Sequence, residues 1–255
     1  MTPLPPTFPD MPLLRRPFAD ILPAWTEAAR TTGAVALIDK EETWTSFDVV
    51  AKLRRLFKVR RVGHAGTLDP LATGLLVLCF GPATKQISLI QDADKTYDVV
   101  VKLGATTPTD DRGSEESKAD IEILSTHNKE PTEARVKEAL SLFVGTIEQT
   151  PPAFAAIRHQ GRRQYDLARE GIAFEERKRS VTLHAIADYK YEWPYVHMTI
   201  SCTKGTYIRS IARDLGAVLG VGGYVWTLRR TAIGVMNVID AVTVDELREA
   251  MMVSA

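Results

Sequence analysis

The stretch from Val181 to Cys202 limits the fold more than any other part of the chain. Val181, Leu183, Tyr189, Tyr191 and Trp193 share one face of a strand, and Val196, Met198, Ile200 and Cys202 share one face of the next. Trp193-Pro194 stands between them, so the pair predicts an antiparallel hairpin. Tyr97, Val99, Val101 and Leu103 recur at every second position and predict a half-buried strand; Ala34 to Asp39 and Leu75 to Phe80 read as buried ones. Helical patterns fall between these strands without a regular strand–helix–strand rhythm. Thr45 is a candidate N-cap with Asp48 three residues on, ahead of a stripe of Val49, Leu53, Leu56 and Phe57. Thr132 to Phe143 reads as a helix ended by Gly145. Ile208, Ile211, Ala212, Leu215, Val218 and Leu219 stripe a helix that begins near Thr206, with Arg209 and Arg213 on its polar side. A strand around Val235 to Val238 and a helix from Thr243 to Met251 follow. This mixture predicts an α+β protein whose sheet is mixed and largely antiparallel, flanked by helices.

Seven of the 14 prolines fall within residues 1–23, which predicts an irregular arm over 1–32 ahead of one domain at 33–255. Residues 105–130, with Asp110, Asp111, Glu115, Glu116, Asp120 and Glu122, predict a solvated acidic loop. Apolar residues at 45% and charged residues at 25% are ordinary for a globular chain and exclude disorder, collagen-like repeats and coiled coil. The longest nearly apolar run, Gly74 to Gly81, is far short of the roughly 20 residues of a membrane helix. The N-terminus lacks the basic-then-apolar pattern of a signal peptide. Cys79 and Cys202 lie far apart and suggest neither a disulfide framework nor a Cys-x-x-Cys site, so a reduced, cytoplasmic setting is expected. The 32 basic and 32 acidic groups cancel, which still permits a basic face balanced by an acidic one.

The most unusual segment is Gly63-His64-Ala65-Gly66-Thr67-Leu68-Asp69-Pro70-Leu71-Ala72-Thr73-Gly74. Its glycines and proline disfavour regular structure, yet a buried strand follows, and such a loop can hold a polar side chain rigidly beside a core. Asp69 is a candidate nucleophile or general base; the plainer alternative is a turn aspartate bonding its own backbone. His64 has no other His or Cys at ligand spacing in the loop, so a metal site is not expected. Lys204-Gly205-Thr206-Tyr207-Ile208-Arg209 joins a strand to a helix, the kind of place where function gathers. The alternative is a surface Lys and Arg around a buried Tyr; a buried Arg209 would need a carboxylate, for which Asp69 is one candidate. Gly220-Val221-Gly222-Gly223 follows a helix, so it is not a dinucleotide fingerprint. Basic residues come in blocks at Lys52 to Arg61, Arg158 to Arg169, Arg177 to Arg179 and Arg229-Arg230, which are either solvated faces or the walls of a phosphate-lined groove.

Together these segments resemble the bacterial tRNA pseudouridine synthases of the TruB family over roughly residues 33–247. The Gly63–Gly74 loop resembles the catalytic motif. Asp94-Lys95-Thr96-Tyr97 is similar to the Lys-x-Tyr strand, and Gln149-Thr150-Pro151-Pro152 through Arg158 to the Pro-Pro segment. Lys204 to Arg209 and Leu228-Arg229-Arg230 complete the set. The resemblance implies the pseudouridine synthase fold and isomerisation of uridine 55 in the tRNA T loop, with no cofactor, no metal and no redox step. It implies that Asp69 is the catalytic carboxylate and that Arg209 keeps it ionised. Tyr97 stacks on the uracil and assists proton removal, Leu228 packs against the base, and His64 fills the space of the flipped nucleotide. Lys204 and Tyr207 support the pocket or the adjacent backbone. Whether Asp69 adds to the base or attacks the sugar stays open. Two departures stand out. The family's Lys-Pro-x-Gly-x-Thr-Ser is Lys40-Glu41-Glu42-Thr43-Trp44-Thr45-Ser46 here, which keeps Lys40, a substrate-binding candidate, and loses Pro and Gly. Ala155 and Arg158 replace a serine and a lysine. No PUA domain is expected after Arg230, because the remainder is shorter than the roughly 40 residues an independent domain needs. The expected partner is the tRNA T-arm, with no membrane and no guide RNA, and the expected state is a monomer. A tRNA-binding chaperone with incidental or lost catalysis is the alternative; intact Asp69, Tyr97 and Arg209 argue against it.

Overall fold

The computed structural model describes residues 11–117, 130–155, 158–159, 162–163 and 178–253. The chain divides into two compact units, Met1–Tyr97 with Arg229–Ala255, and Asp98–Leu228.

The first unit is built on β2 (Ala34–Lys40) and β4 (Thr73–Phe80), antiparallel from Ala34↔Phe80 to Lys40↔Gly74. Both strands are apolar runs because both of their faces are buried. Val35, Leu37, Leu75, Val77 and Cys79 pack on one face with Ile90, Ile233 and Met236. On the other, Phe80 meets Trp25 at 4.9 Å between ring centroids, and Trp25 meets Phe57 at 5.0 Å, both edge-on as aromatic quadrupoles prefer. Trp25 comes from α1 (Leu22–Arg30), and Phe57 follows α2 (Ser46–Leu56). Helix α2 starts as its sequence dictates: Thr45 accepts from the Asp48 N–H while the Asp48 side chain accepts from the Thr45 N–H, a complete capping box. β1 (Leu13–Leu14) pairs parallel to β2, and β3 (Val62–His64) pairs antiparallel to β4. Arg229 and Arg230 of β11 (Gly223–Ile233) pair parallel to Thr73 and Gly74, and β12 (Met236–Asn237) turns back on β11. Helix α3 (Ile87–Asp92) leads into β5 (Lys95–Leu103), and α6 (Val244–Val253) is the last element.

The expected irregular arm is corrected over its described part. Leu14, Leu22, Trp25 and Ala29 are core residues of this unit. Proline density hid them: Pro12 offers its carbonyl to Val35 N–H at 2.9 Å, and Pro23 sits in the first turn of α1, where a missing N–H costs nothing. Residues 1–10 lie outside the described residues.

In the second unit the strand order is β11, β5, β10 (Tyr195–Cys202), β9 (Arg179–Glu192), β6 (Gly145–Gln149). The predicted hairpin is β9–β10, antiparallel from Tyr195↔Glu192, with a cis Trp193-Pro194 peptide at its turn. Val99, Val101 and Leu103 of β5 are buried, as are Val196, Met198, Ile200 and Cys202 of β10. Helix α4 (Glu133–Ser141) starts at its Thr132 cap and stops before Gly145, which opens β6 rather than ending the helix. Helix α5 (Ile208–Leu219) ends on Gly220 in the left-handed region at φ 73°. Gly216 within the helix and Gly223 after it serve packing, since a Cβ on Gly216 would stand 2.1 Å from Gly223 N and one on Gly223 2.7 Å from Ala212 O. The short ladder of β7 (Arg158–His159) and β8 (Arg162–Arg163) belongs to the 158–169 basic block, whose side chains lie outside the described residues. Six helices are present among the described residues, and no helix there is long and apolar enough to cross a membrane.

Gly74 and Gly145 form a matched pair for testing. Both have φ near +100° (97° and 102°), but a Cβ on Gly74 would lie 2.3 Å from Arg230 O whereas Gly145 has open space. Gly145→Ala should cost about 1 kcal/mol from backbone strain alone, and Gly74→Ala at least about twice that. Urea midpoints of the two variants test this, and equal losses would disprove the steric argument.

Candidate active site

The loop between β3 and β4 is fixed by its backbone. Five consecutive carbonyls each accept a hydrogen bond. Gly66 O and Thr67 O accept from Arg230 Nη2 and Nη1 at 3.0 and 3.3 Å. Leu68 O accepts from Ser46 Oγ at 3.1 Å, and the same oxygen takes the Leu68 N–H at 2.8 Å. Asp69 O accepts from Ala72 N–H at 3.1 Å. Pro70 O accepts from Thr43 N–H at 2.9 Å and from Lys40 Nζ at 3.2 Å. Arg230 also donates from Nε to Leu75 O at 2.7 Å, so one side chain ties the loop to the strand that follows it. Arg230, Lys40 and Ser46 are all buried, while Asp69 at the centre is half-buried. The arrangement immobilises the main chain and leaves the carboxylate reachable. Such presentation is compatible with a catalytic group.

Asp69 lies within electrostatic reach of Lys40. Burial pushes the Lys40 ammonium down to about 8; the Asp69 charge opposes that shift, and Arg230 adds to it. Lys40 gives its protons to the Glu41, Trp44 and Pro70 carbonyls, so the structure uses this substrate-binding candidate to hold the loop. Thr43 takes up a left-handed φ of 72°, so the turn forms without the family's Pro and Gly. His64 is half-buried, and its imidazole is held below the usual range first by burial and then by Arg230. Tyr97 on β5 is 9% exposed. Lys95 of the same motif turns back to the Gln91 and Ala93 carbonyls at the end of α3.

The remaining candidates, Lys204, Tyr207, Arg209 and Leu228, lie in the second unit. Lys204 is exposed, Tyr207 and Leu228 are half-buried, and Arg209 is 5% exposed. The expected polar-side Arg209 is therefore corrected. Its guanidinium donates to Thr109 O and Phe154 O, both at 3.0 Å, and stands 3.9 Å from Asp111 Oδ2. Asp111 is in turn held by Thr109 Oγ1 at 2.7 Å and Gly113 N–H at 2.9 Å. Its neighbour Asp110 pairs with Arg213 at 3.2 Å. The loop expected to be a solvated acidic run is thus, over 105–117, a scaffold for two arginines of α5; residues 118–129 lie outside the described residues. Composition hid this, because the arginine partners lie about a hundred residues away. Gln149 was also missed: fully buried, it accepts from Tyr207 N–H at 2.8 Å and donates to Tyr207 O at 3.1 Å. The Arg229-Arg230 block is not a phosphate wall, since Arg229 pairs with Asp39 through two bonds of 3.0 and 2.7 Å and Arg230 is buried. Among the described residues, no three His, Cys, Asp or Glu side chains are grouped to hold a metal.

A fold with a rigidly presented aspartate and a strand-to-helix arginine turn narrows the class, and comparison with known proteins settles it. Residues 54–208 match the description "TruB family pseudouridylate synthase (N terminal domain)", and residues 209–255 match "tRNA pseudouridylate synthase B C-terminal domain". The chain is 41% identical to the "tRNA pseudouridine synthase B" of Burkholderia pseudomallei (strain 668), over 88% of its own length and 72% of the relative's. It is 43% identical to that of Dechloromonas aromatica (strain RCB), over 86% and 71%. The chain belongs to the TruB family of pseudouridylate synthases. Among solved structures it is similar to a chain of the archaeal box H/ACA sRNP Nop10-Cbf5 complex, with TM-score 0.63 and 24% identity over 88% of this chain. A chain of a Cbf5-Nop10-Gar1 complex gives TM-score 0.65 and 25% identity over 89%. The chain spans 55% and 61% of those two chains, and the likeness is one of fold.

Asp110 makes the Arg213 contact testable by pH. Burial raises its carboxyl to about 6, with Arg213 and Arg209 opposing. Because the folded value exceeds the unfolded 3.8, this group favours the fold below about pH 3.8, and that contribution is lost as pH rises through about 6. Wild type should therefore lose stability relative to Asp110→Asn between pH 4 and 6.5, by at most about 3 kcal/mol. Denaturant titrations at stepped pH measure the difference, and a flat difference would refute the shift.

Proposed function

We propose that this enzyme isomerises uridine 55 in the T loop of tRNA to pseudouridine. The observation that carries the reading is the Asp69 carboxylate, presented from a loop whose five successive carbonyls are bonded, in a chain of this family. In the reaction the N1–C1′ bond breaks, the uracil turns, C5 joins C1′, and C5 loses a proton while N1 gains one. No oxidant or reductant is consumed. Asp69 is the catalytic carboxylate. Tyr97, Arg209, Leu228 and His64 keep the roles that the family resemblance implies. The base is extruded from the folded T loop at a cost of a few kcal/mol. Lys52, Arg54, Arg55, Lys58, Arg60 and Arg61 are all exposed, and cations so placed suit the phosphates of the T-arm. The protein acts as a monomer in the cytoplasm.

Unmodified tRNA transcript tritiated at uracil C5 tests the proposal. Wild type should release tritium from the T-loop uridine, and Asp69→Asn should release it more than about 1,000-fold more slowly with tRNA binding kept. Binding without release by wild type would refute the proposal in favour of a tRNA-binding chaperone.

A further inference from the structure

We propose that Arg179, stacked on Tyr207, is a phosphodiester-binding residue that fixes the RNA strand beside the Lys204–Arg209 turn; this rests on the tRNA reading above. Arg179 is the first residue of β9, and its partner across the ladder is Gln149, the side chain that clamps the Tyr207 backbone from both sides. The Arg179 guanidinium carbon stands 5.5 Å over the Tyr207 ring. Gly205, at φ +80°, brings the turn close beneath it: a Cβ there would lie 3.9 Å from Arg179 Nη1.

Arg179 differs from the other arginines described above. Arg209, Arg213, Arg229 and Arg230 all spend their donors on carbonyls or carboxylates. Arg179 is half-buried, and among the described residues its guanidinium is placed over the Tyr207 ring. A cation–π contact uses no carbonyl or carboxylate acceptor, and a guanidinium has paired N–H groups that match two oxygens of one phosphate. Lys178 and Lys204 are exposed close by in the chain segments that meet here, so the described charges beside Arg179 include two further cations. Glu148, the acidic residue next to Gln149 on β6, pairs in register with Ser180 and so points to the opposite face of the sheet. A planar cation held over the ring of a turn already clamped in place suits recognition of the RNA backbone. It carries no base specificity of its own.

The test is the salt dependence of tRNA binding, measured with unmodified transcript for wild type, Arg179→Gln and Arg179→Lys. Arg179→Gln should weaken binding about 10-fold near 0.1 M salt and lower the slope of log K against log salt by about one unit. Arg179→Lys should restore the slope but only part of the affinity, because an ammonium lacks the paired donors. If Arg179 only braced Tyr207, binding would fall with no change of slope, and that result would overturn the inference. A second measurement needs no variant. Single methylphosphonate linkages placed along a T-arm stem-loop should weaken wild-type binding sharply at one linkage. An even profile would also overturn the inference. Tritium release by wild type with an unaltered slope in Arg179→Gln rejects this site alone. Neither release nor binding by wild type rejects the tRNA reading and this site with it.

Discussion

The bonding of five consecutive carbonyls, Gly66 to Pro70, is the constraint on which the candidate site depends. A loop rich in glycine has high conformational entropy when free, so its main chain must be tied down to hold one side chain still. Here the ties come from three buried side chains on three elements: Lys40 at the end of β2, Ser46 at the start of α2 and Arg230 on β11. Each is fixed by the core around it. Loop precision is therefore inherited from the double-sided packing of β2 and β4, and disturbing that packing would loosen Asp69 without touching it.

The same economy explains why two cations are buried with, among the described residues, no carboxylate bonded to either. Burying a charge is costly unless it is paired or hydrogen-bonded. Lys40 reaches three carbonyls and Arg230 another three, so each is solvated by main-chain dipoles in place of water. The cost remains visible in Lys40, whose ammonium is pushed down to about 8. Removing either side chain would take a donor from three carbonyls at once.

After the proline-rich start, strands were legible in the sequence where apolar residues alternate or run together, and helices where a cap precedes an apolar stripe. The alternation at Tyr97 to Leu103, the hairpin about Trp193-Pro194 and the Thr45 capping box all reappear at their expected places. What could not be read was set by partners distant in the chain. Pro12 and Pro23 looked like arm residues because nothing local shows that Val35 N–H or the first turn of α1 awaits them. Asp110 and Asp111 looked solvated because Arg213 and Arg209 follow about a hundred residues later. The motif containing Gln149 was visible, but its role required knowing that β6 runs beside the start of β9 and that the amide reaches Tyr207.

Zero net charge conceals how the cations are divided. Those that carry structure are withdrawn from solvent and bonded: Lys40, Lys95, Arg209 and Arg230 are all among the buried residues. Those on and after α2, from Lys52 to Arg61, are exposed, and α2 keeps its acidic residue, Asp48, at the cap. A count of charges weights both groups equally, although a buried arginine bonded to carbonyls offers nothing to a polyanion. Only the exposed set can meet a phosphate directly and displace its counterions, so it dominates the salt-dependent attraction of a phosphate backbone. The basic character that matters for an RNA partner is therefore local, and a balanced composition is compatible with it because the acidic groups are placed elsewhere.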